Sequence, residues 1–213
     1  MSNLTLYGET GWVSPWVFHV MVALEEKGLP YELKLVPLPI PPEKKREMAG
    51  RGVLGKVPLF GHGDLWLTES LAISEYLAET WKYPEYPRLF PADLKERARA
   101  RQMMGWLRTD LMPLREARPT SSVFGTEAVQ PLSGKAREHA DELLRVASAV
   151  VTPARLSIAS EWCIADADLA LALMRLVKNG DEVPAHLKAY AEAQWARPSL
   201  QPYLRYAASE RPA

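Results

Sequence analysis

The chain predicts an α+β fold in which strands and helices mix in an N-terminal domain and an all-helical C-terminal domain follows. Three observations predict it. Between Leu4 and Val36 the pattern runs strand, helix, strand. Two short apolar runs then flank Gly61-His62-Gly63-Asp64, which reads as a β-hairpin leading into an amphipathic helix from Glu69-Ser70. Beyond the proline-rich stretch 81–91, every periodic segment has helical spacing. The expected division is therefore a domain over 1–80, a linker over 81–91 and a helical domain over 92–213.

Leu4 to Tyr7 alternates as a strand, and Gly8-Glu9-Thr10-Gly11 is expected to break it. Ser14-Pro15 starts a helix, since serine is a preferred N-cap and proline is preformed for the first helical position. Trp16, Val20, Met21 and Leu24 give that helix an apolar face, and Gly28-Leu29-Pro30 ends it. Tyr31 to Val36 reads as a second strand, followed by a proline-rich connector and a charged helical patch from Glu43 to Ala49. A strand–helix–strand crossover implies a parallel pair, to which the hairpin adds antiparallel strands. Pro58 lacks a ladder donor and marks an edge or a cis turn.

In the second half, Ala92 to Arg118 carries Met103, Leu107, Leu111 and Leu114 on one stripe, with Pro113 expected to kink or split it. Ala136 to Val150 forms another helical face, Leu169 to Val177 a third, and Pro184 to Trp195 and Pro198 to Tyr206 two shorter helices.

The 213 residues suffice for a sizeable core, and 47% hydrophobic against 24% charged residues is an ordinary globular balance. Lys plus Arg and Asp plus Glu both number 26, so bulk charge points to neither nucleic acid nor an anionic membrane. No apolar run approaches a membrane span, and Met1-Ser2-Asn3 runs into a strand without a basic-then-apolar leader. With Cys163 alone there is no intramolecular disulfide, and a cytoplasmic protein is expected. His19, His62, His139 and His186 show no metal-ligand spacing, so no metal is expected.

The free N–H groups at the helix start after Glu69 suit a carboxylate, and Glu69 itself suits an ammonium group. With Lys56-Val57-Pro58 ahead of them, these residues resemble the glutathione-binding half of the glutathione transferase superfamily. Ala98 to Gln102, Trp106-Leu107-Arg108, Asp110 to Pro113 and Glu161 to Asp166 are similar to the bacterial YfcF-type members. The resemblance implies a thioredoxin-like N-terminal domain and a helical C-terminal one. It also implies that Val57 pairs its backbone with the cysteinyl part of glutathione and that Glu69 and Ser70 grip the γ-glutamyl end. Lys56, just before Val57, suits the glycyl carboxylate or cysteinyl carbonyl, or equally is a solvated surface lysine. Lys44 is a weaker alternative at the glycyl end.

The chemistry that follows from the resemblance is modest. A thiol of pKa about 8.5 needs roughly 2.7 kcal/mol of preference for its thiolate to shift by about 2 units. One hydroxyl donor to the charged sulfur supplies about 1.5–3 kcal/mol, and a helix N-terminus about 0.3–1 more. Ser14 lies at such a helix start, where serine-type transferases keep their active serine. Tyr7, at the end of the first strand, is the alternative, at the place of the tyrosine-type phenol. Taken alone, a serine before proline is simply an N-cap. A dithiol mechanism needs Cys-x-x-Cys, and no cysteine lies in the first domain.

Trp106 and Asp110, one turn apart, are candidate linings of the second-substrate pocket, with interdomain packing an equal account of Trp106. The resemblance implies glutathione conjugation to a small electrophile in detoxification, glutathione-dependent peroxidase activity in oxidative-stress defence, and a homodimer. A glutathione-dependent isomerase and a noncatalytic ligand- or partner-binding module stand as alternatives.

Overall fold

The computed structural model describes residues 3–209. Strand β1 (Leu4–Glu9) lies inside a sheet of order β2-β1-β3-β4. It pairs in parallel with β2 (Glu32–Val36), Tyr7 opposite Lys34 and Glu9 opposite Val36. On its other side it pairs antiparallel with β3 (Leu59–His62), Tyr7 opposite Leu59. β4 (Leu65–Thr68) completes the sheet against β3. This is the expected thioredoxin-like order.

Two local expectations change. Gly8 and Glu9 extend β1 instead of breaking it, because Gly8 pairs with Leu35 and Glu9 with Val36. Gly61 and His62 belong to β3, so the hairpin turn shrinks to Gly63-Asp64, with Gly63 at φ +62° in the first central position, where tight hairpins take glycine.

Helix α1 (Pro15–Lys27) covers one face of the sheet, and the hydrogens of Gly8 leave room for Val17, whose Cγ1 would lie 3.1 Å from an added Cβ. Gly28, at φ +64°, ends α1 as a left-handed cap whose N–H bonds back to the last turn. Helix α2 (Pro42–Gly52) covers the opposite face, where Tyr7, Val36, Met48 and Leu59 form a buried cluster. Gly52 permits its close approach: a Cβ there would meet Leu59 Cδ1 at 2.4 Å. Helix α3 (Ser70–Thr80) packs against α1.

The chain clusters into two compact units, one comprising the residues up to Leu89 with the final helix from Pro202, the other Phe90–Gln201. Within the second unit, the long segment with Pro113 is divided into α4 (Leu94–Thr109) and α5 (Met112–Ala117). The break comes at Asp110-Leu111, so Pro113 sits in the first turn of α5, where it needs no donor. A one-turn helix not anticipated from spacing, α6 (Ser121–Phe124), precedes α7 (Gly134–Val150). α8 (Ile164–Val177) is buried over almost its whole length, as its apolar composition requires, and packs on α4, α7 and α9 (Ala185–Trp195).

Asp166 Oδ2 accepts the Cys163 N–H at 3.0 Å, closing one arm of a capping box, while the Cys163 sulfur, a weak acceptor, faces the N–H of Asp166. Tyr190 donates to Asp166 Oδ1 at 2.7 Å, the Ile158 N–H to the same oxygen at 2.8 Å, and Ser157 to Oδ2 at 2.9 Å. The expected helical domain included positions 210–213, which lie outside the described residues; α10 (Gln201–Ser209) falls almost wholly in the first unit.

Candidate active site

Strand register brings four chain segments to one edge of the sheet. β1 ends there at Glu9, leading to Ser14; β2, parallel to it, ends at Val36. β3 is antiparallel, so its start, just after the cis Val57–Pro58 bond, lies at the same edge. β4 ends at Thr68, opposite Leu59, immediately before Glu69-Ser70. The expected glutathione-site residues Ser14, Lys56, Val57, Glu69 and Ser70 thus lie in loops and at the start of α3, at one edge of the first unit.

Ser14 is half-buried and caps α1 with its side chain, Oγ accepting the Val17 N–H at 3.3 Å. That bond uses a lone pair and leaves the hydroxyl proton as a donor. The serine backbone is held at both its polar groups. Its N–H donates to Glu9 Oε1 at 2.9 Å, and its carbonyl accepts the Tyr203 hydroxyl at 3.1 Å and also the Phe18 N–H of α1 at 3.1 Å. Glu9 Oε1 also takes the Val13 N–H at 2.7 Å.

Tyr7 is 3% exposed in the cluster beneath α2, with Trp66 at 6.1 Å between ring centroids. Its hydroxyl accepts from Arg51 at 3.3 Å, and Lys44 stands 5.4 Å from its ring. Tyr7 therefore belongs to the α2 face, opposite the face that α1 covers.

Glu69 caps α3 without a side-chain cap bond and holds φ +68°, a conformation costly for a non-glycine residue. Its carboxylate instead pairs with Lys56 at 2.6 Å, both side chains remaining more than half exposed. Ser70 is buried at the first position of α3, and Val57 is half-buried. Lys44 forms an exposed pair with Glu47 at 2.7 Å.

In the second unit, Trp106 is half-buried and Asp110 is exposed as the C-cap of α4, its N–H bonded to the Trp106 carbonyl at 3.1 Å. The nearby arginines form ion pairs: Arg108 with Asp168, and Arg118 doubly with Asp181 at 2.6 and 2.8 Å. Burial, with Arg115 nearby, lowers the Arg175 pKa to about 9. Among the described residues no group of His, Cys, Asp and Glu could hold a metal, and no helix is long and apolar enough to cross a membrane.

Residues 13–80 match the glutathione S-transferase N-terminal domain, and residues 93–209 the corresponding C-terminal domain. The chain belongs to the glutathione S-transferase family. Glutathione S-transferase 3 of Zea mays is 31% identical over 94% of this chain and 93% of its own length. Human glutathione S-transferase theta-2 is 37% identical over 41% of this chain, a match that spans only 35% of that relative's length. Among solved structures, a glutathione transferase homolog from Burkholderia, with bound glutathione, is 34% identical and superposes with a TM-score of 0.79, covering 98% of this chain and 99% of that one.

Pattern reading missed Glu9, Trp12, Tyr203 and Tyr206. Trp12, at φ +50°, stacks on Tyr206 with centroids 4.4 Å apart and planes 6° from parallel, and meets Tyr203 edge-on at 5.4 Å. The one local signal was an acidic residue four and five positions ahead of the two N–H groups preceding an N-capped helix.

Proposed function

We propose that this transferase-family chain binds glutathione along the edge of its sheet and stabilises the thiolate with the Ser14 hydroxyl for attack on a small electrophile or a peroxide. The observation that carries the reading is the Ser14 side chain: it caps α1 through a lone pair and so keeps its proton to give. A hydroxyl donor with the α1 N-terminus behind it supplies about 2–4 kcal/mol of preference for the charged sulfur, enough for a shift of roughly 2 units. Val57 offers its backbone to the cysteinyl part, Glu69 and Ser70 take the γ-glutamyl end, and Lys56 serves the glycyl or cysteinyl side. Trp106 and Asp110 line the second-substrate pocket of a cytoplasmic homodimer, with no metal in the mechanism.

The test is an ultraviolet titration of the thiolate of bound glutathione in wild type, Ser14→Ala and Tyr7→Phe. The expected result is a depressed thiol pKa that Ser14→Ala abolishes and Tyr7→Phe preserves. Loss with Tyr7→Phe alone would overturn the serine assignment, and glutathione bound without any thiolate would leave a binding module. Consumption of glutathione during turnover separates transfer from glutathione-dependent isomerisation.

A further inference from the structure

We propose that Glu9 is a positioning residue for Ser14, an inference that rests on Ser14 being the thiolate donor. Glu9 is 1% exposed at the end of β1, and its Oε1 alone gathers the N–H groups of Val13 and Ser14, at 2.7 and 2.9 Å. Both N–H groups precede the first turn of α1, so no helical carbonyl can satisfy them. Glu9 thereby ties the end of a strand to the cap of the next helix.

The hold matters because the Ser14 hydroxyl has little else to aim it. Its bond from the Val17 N–H, at 3.3 Å, is just longer than the usual range of about 2.7–3.2 Å, so the position of the Ser14 backbone decides where the proton points. Trp12 occupies the left-handed region at φ +50°, and a Cβ on Gly11 would stand 3.1 Å from Glu9 Oε2. Glu9 grips the serine N–H from the sheet, and Tyr203 its carbonyl from α10.

The second oxygen of Glu9, Oε2, is buried without a hydrogen-bond partner among the described residues, a cost set against the two N–H bonds that Oε1 accepts.

The experiment titrates the thiol of glutathione bound to wild type, Glu9→Leu, Glu9→Asp, Glu9→Gln and Ser14→Ala, with glutathione affinity measured by calorimetry on the same samples. Glu9→Leu is expected to raise the bound thiol pKa by about one unit, a tenfold loss of thiolate at acidic pH, with affinity changed little. Glu9→Asp, too short to reach both N–H groups, shifts it in the same direction and serves if the leucine variant does not fold. Glu9→Gln, whose amide oxygen still accepts both bonds, keeps the thiol pKa at or below the wild-type value. Wild-type thiol pKa values in both Glu9→Leu and Glu9→Asp, with only a lower melting temperature, would overturn the inference while leaving Ser14 in place. If Ser14→Ala itself retains the thiolate, the Ser14 reading falls and this inference with it.

Discussion

Lys56 Nζ lies 2.6 Å from Glu69 Oε1, joining the residue ahead of the Val57–Pro58 turn to the residue that caps α3. The two groups expected to serve opposite ends of glutathione therefore neutralise each other without it. At more than half exposure such a pair contributes about 0–1 kcal/mol, so opening it is a small obstacle to binding.

Calorimetry on Lys56→Ala and Glu69→Ala follows from this. Lys56→Ala should change glutathione affinity by less than about fivefold, because what it loses in ligand contact is offset by a Glu69 already released. Glu69→Ala, which removes the partner of the ammonium group, should weaken binding by about ten- to a hundredfold. Equal losses from both variants would show that the pair binds as one unit instead of separating.

Gly55 controls the same loop through sterics. A Cβ there would stand 2.5 Å from the Lys45 carbonyl oxygen, a backbone atom that cannot swing aside. Gly55→Ala should displace Lys56 and Val57 and weaken glutathione binding at least tenfold, on the order of 1.4 kcal/mol. Gly50→Ala is the control. It lies in α2 with nothing within 4 Å of its added Cβ, and should raise stability by about 0.5–1 kcal/mol in urea unfolding without affecting binding.

In the second unit, the doubly bonded Arg118–Asp181 pair is buried, and Arg118 also donates to the carbonyls of Ala117 and Gln130. Asp181→Leu alone leaves a buried guanidinium uncompensated and should cost about 3–5 kcal/mol in chemical denaturation. The double variant Arg118→Met, Asp181→Leu should recover most of that loss. An Asp181→Leu cost below about 1 kcal/mol would mean the pair is solvated in solution.

Cys163 is buried, and burial first, with Asp166 second, pushes its thiol pKa well above the ordinary value. Thiolate is the reactive form, so at pH near 8 the native protein should resist alkylation. Labelling in urea should rise only along the unfolding transition followed by circular dichroism. Stoichiometric labelling of the native chain within minutes would contradict the buried cap position.

By itself the sequence determined the order of elements and most of their ends, because those signals are local. Ser14-Pro15 opens α1 and Gly28 closes it; Gly63 turns the hairpin; Pro113 obliges the long helix to restart. A break placed at Gly8-Glu9 failed because parallel pairing with Leu35 and Val36 outweighed glycine's local preference. Only tertiary structure decided that Tyr7 faces α2, that Lys56 meets Glu69, and that Glu9 and Tyr203 hold the Ser14 backbone from two sides. Those relationships join residues as many as 189 positions apart, and helical or strand periodicity carries no information over such separations.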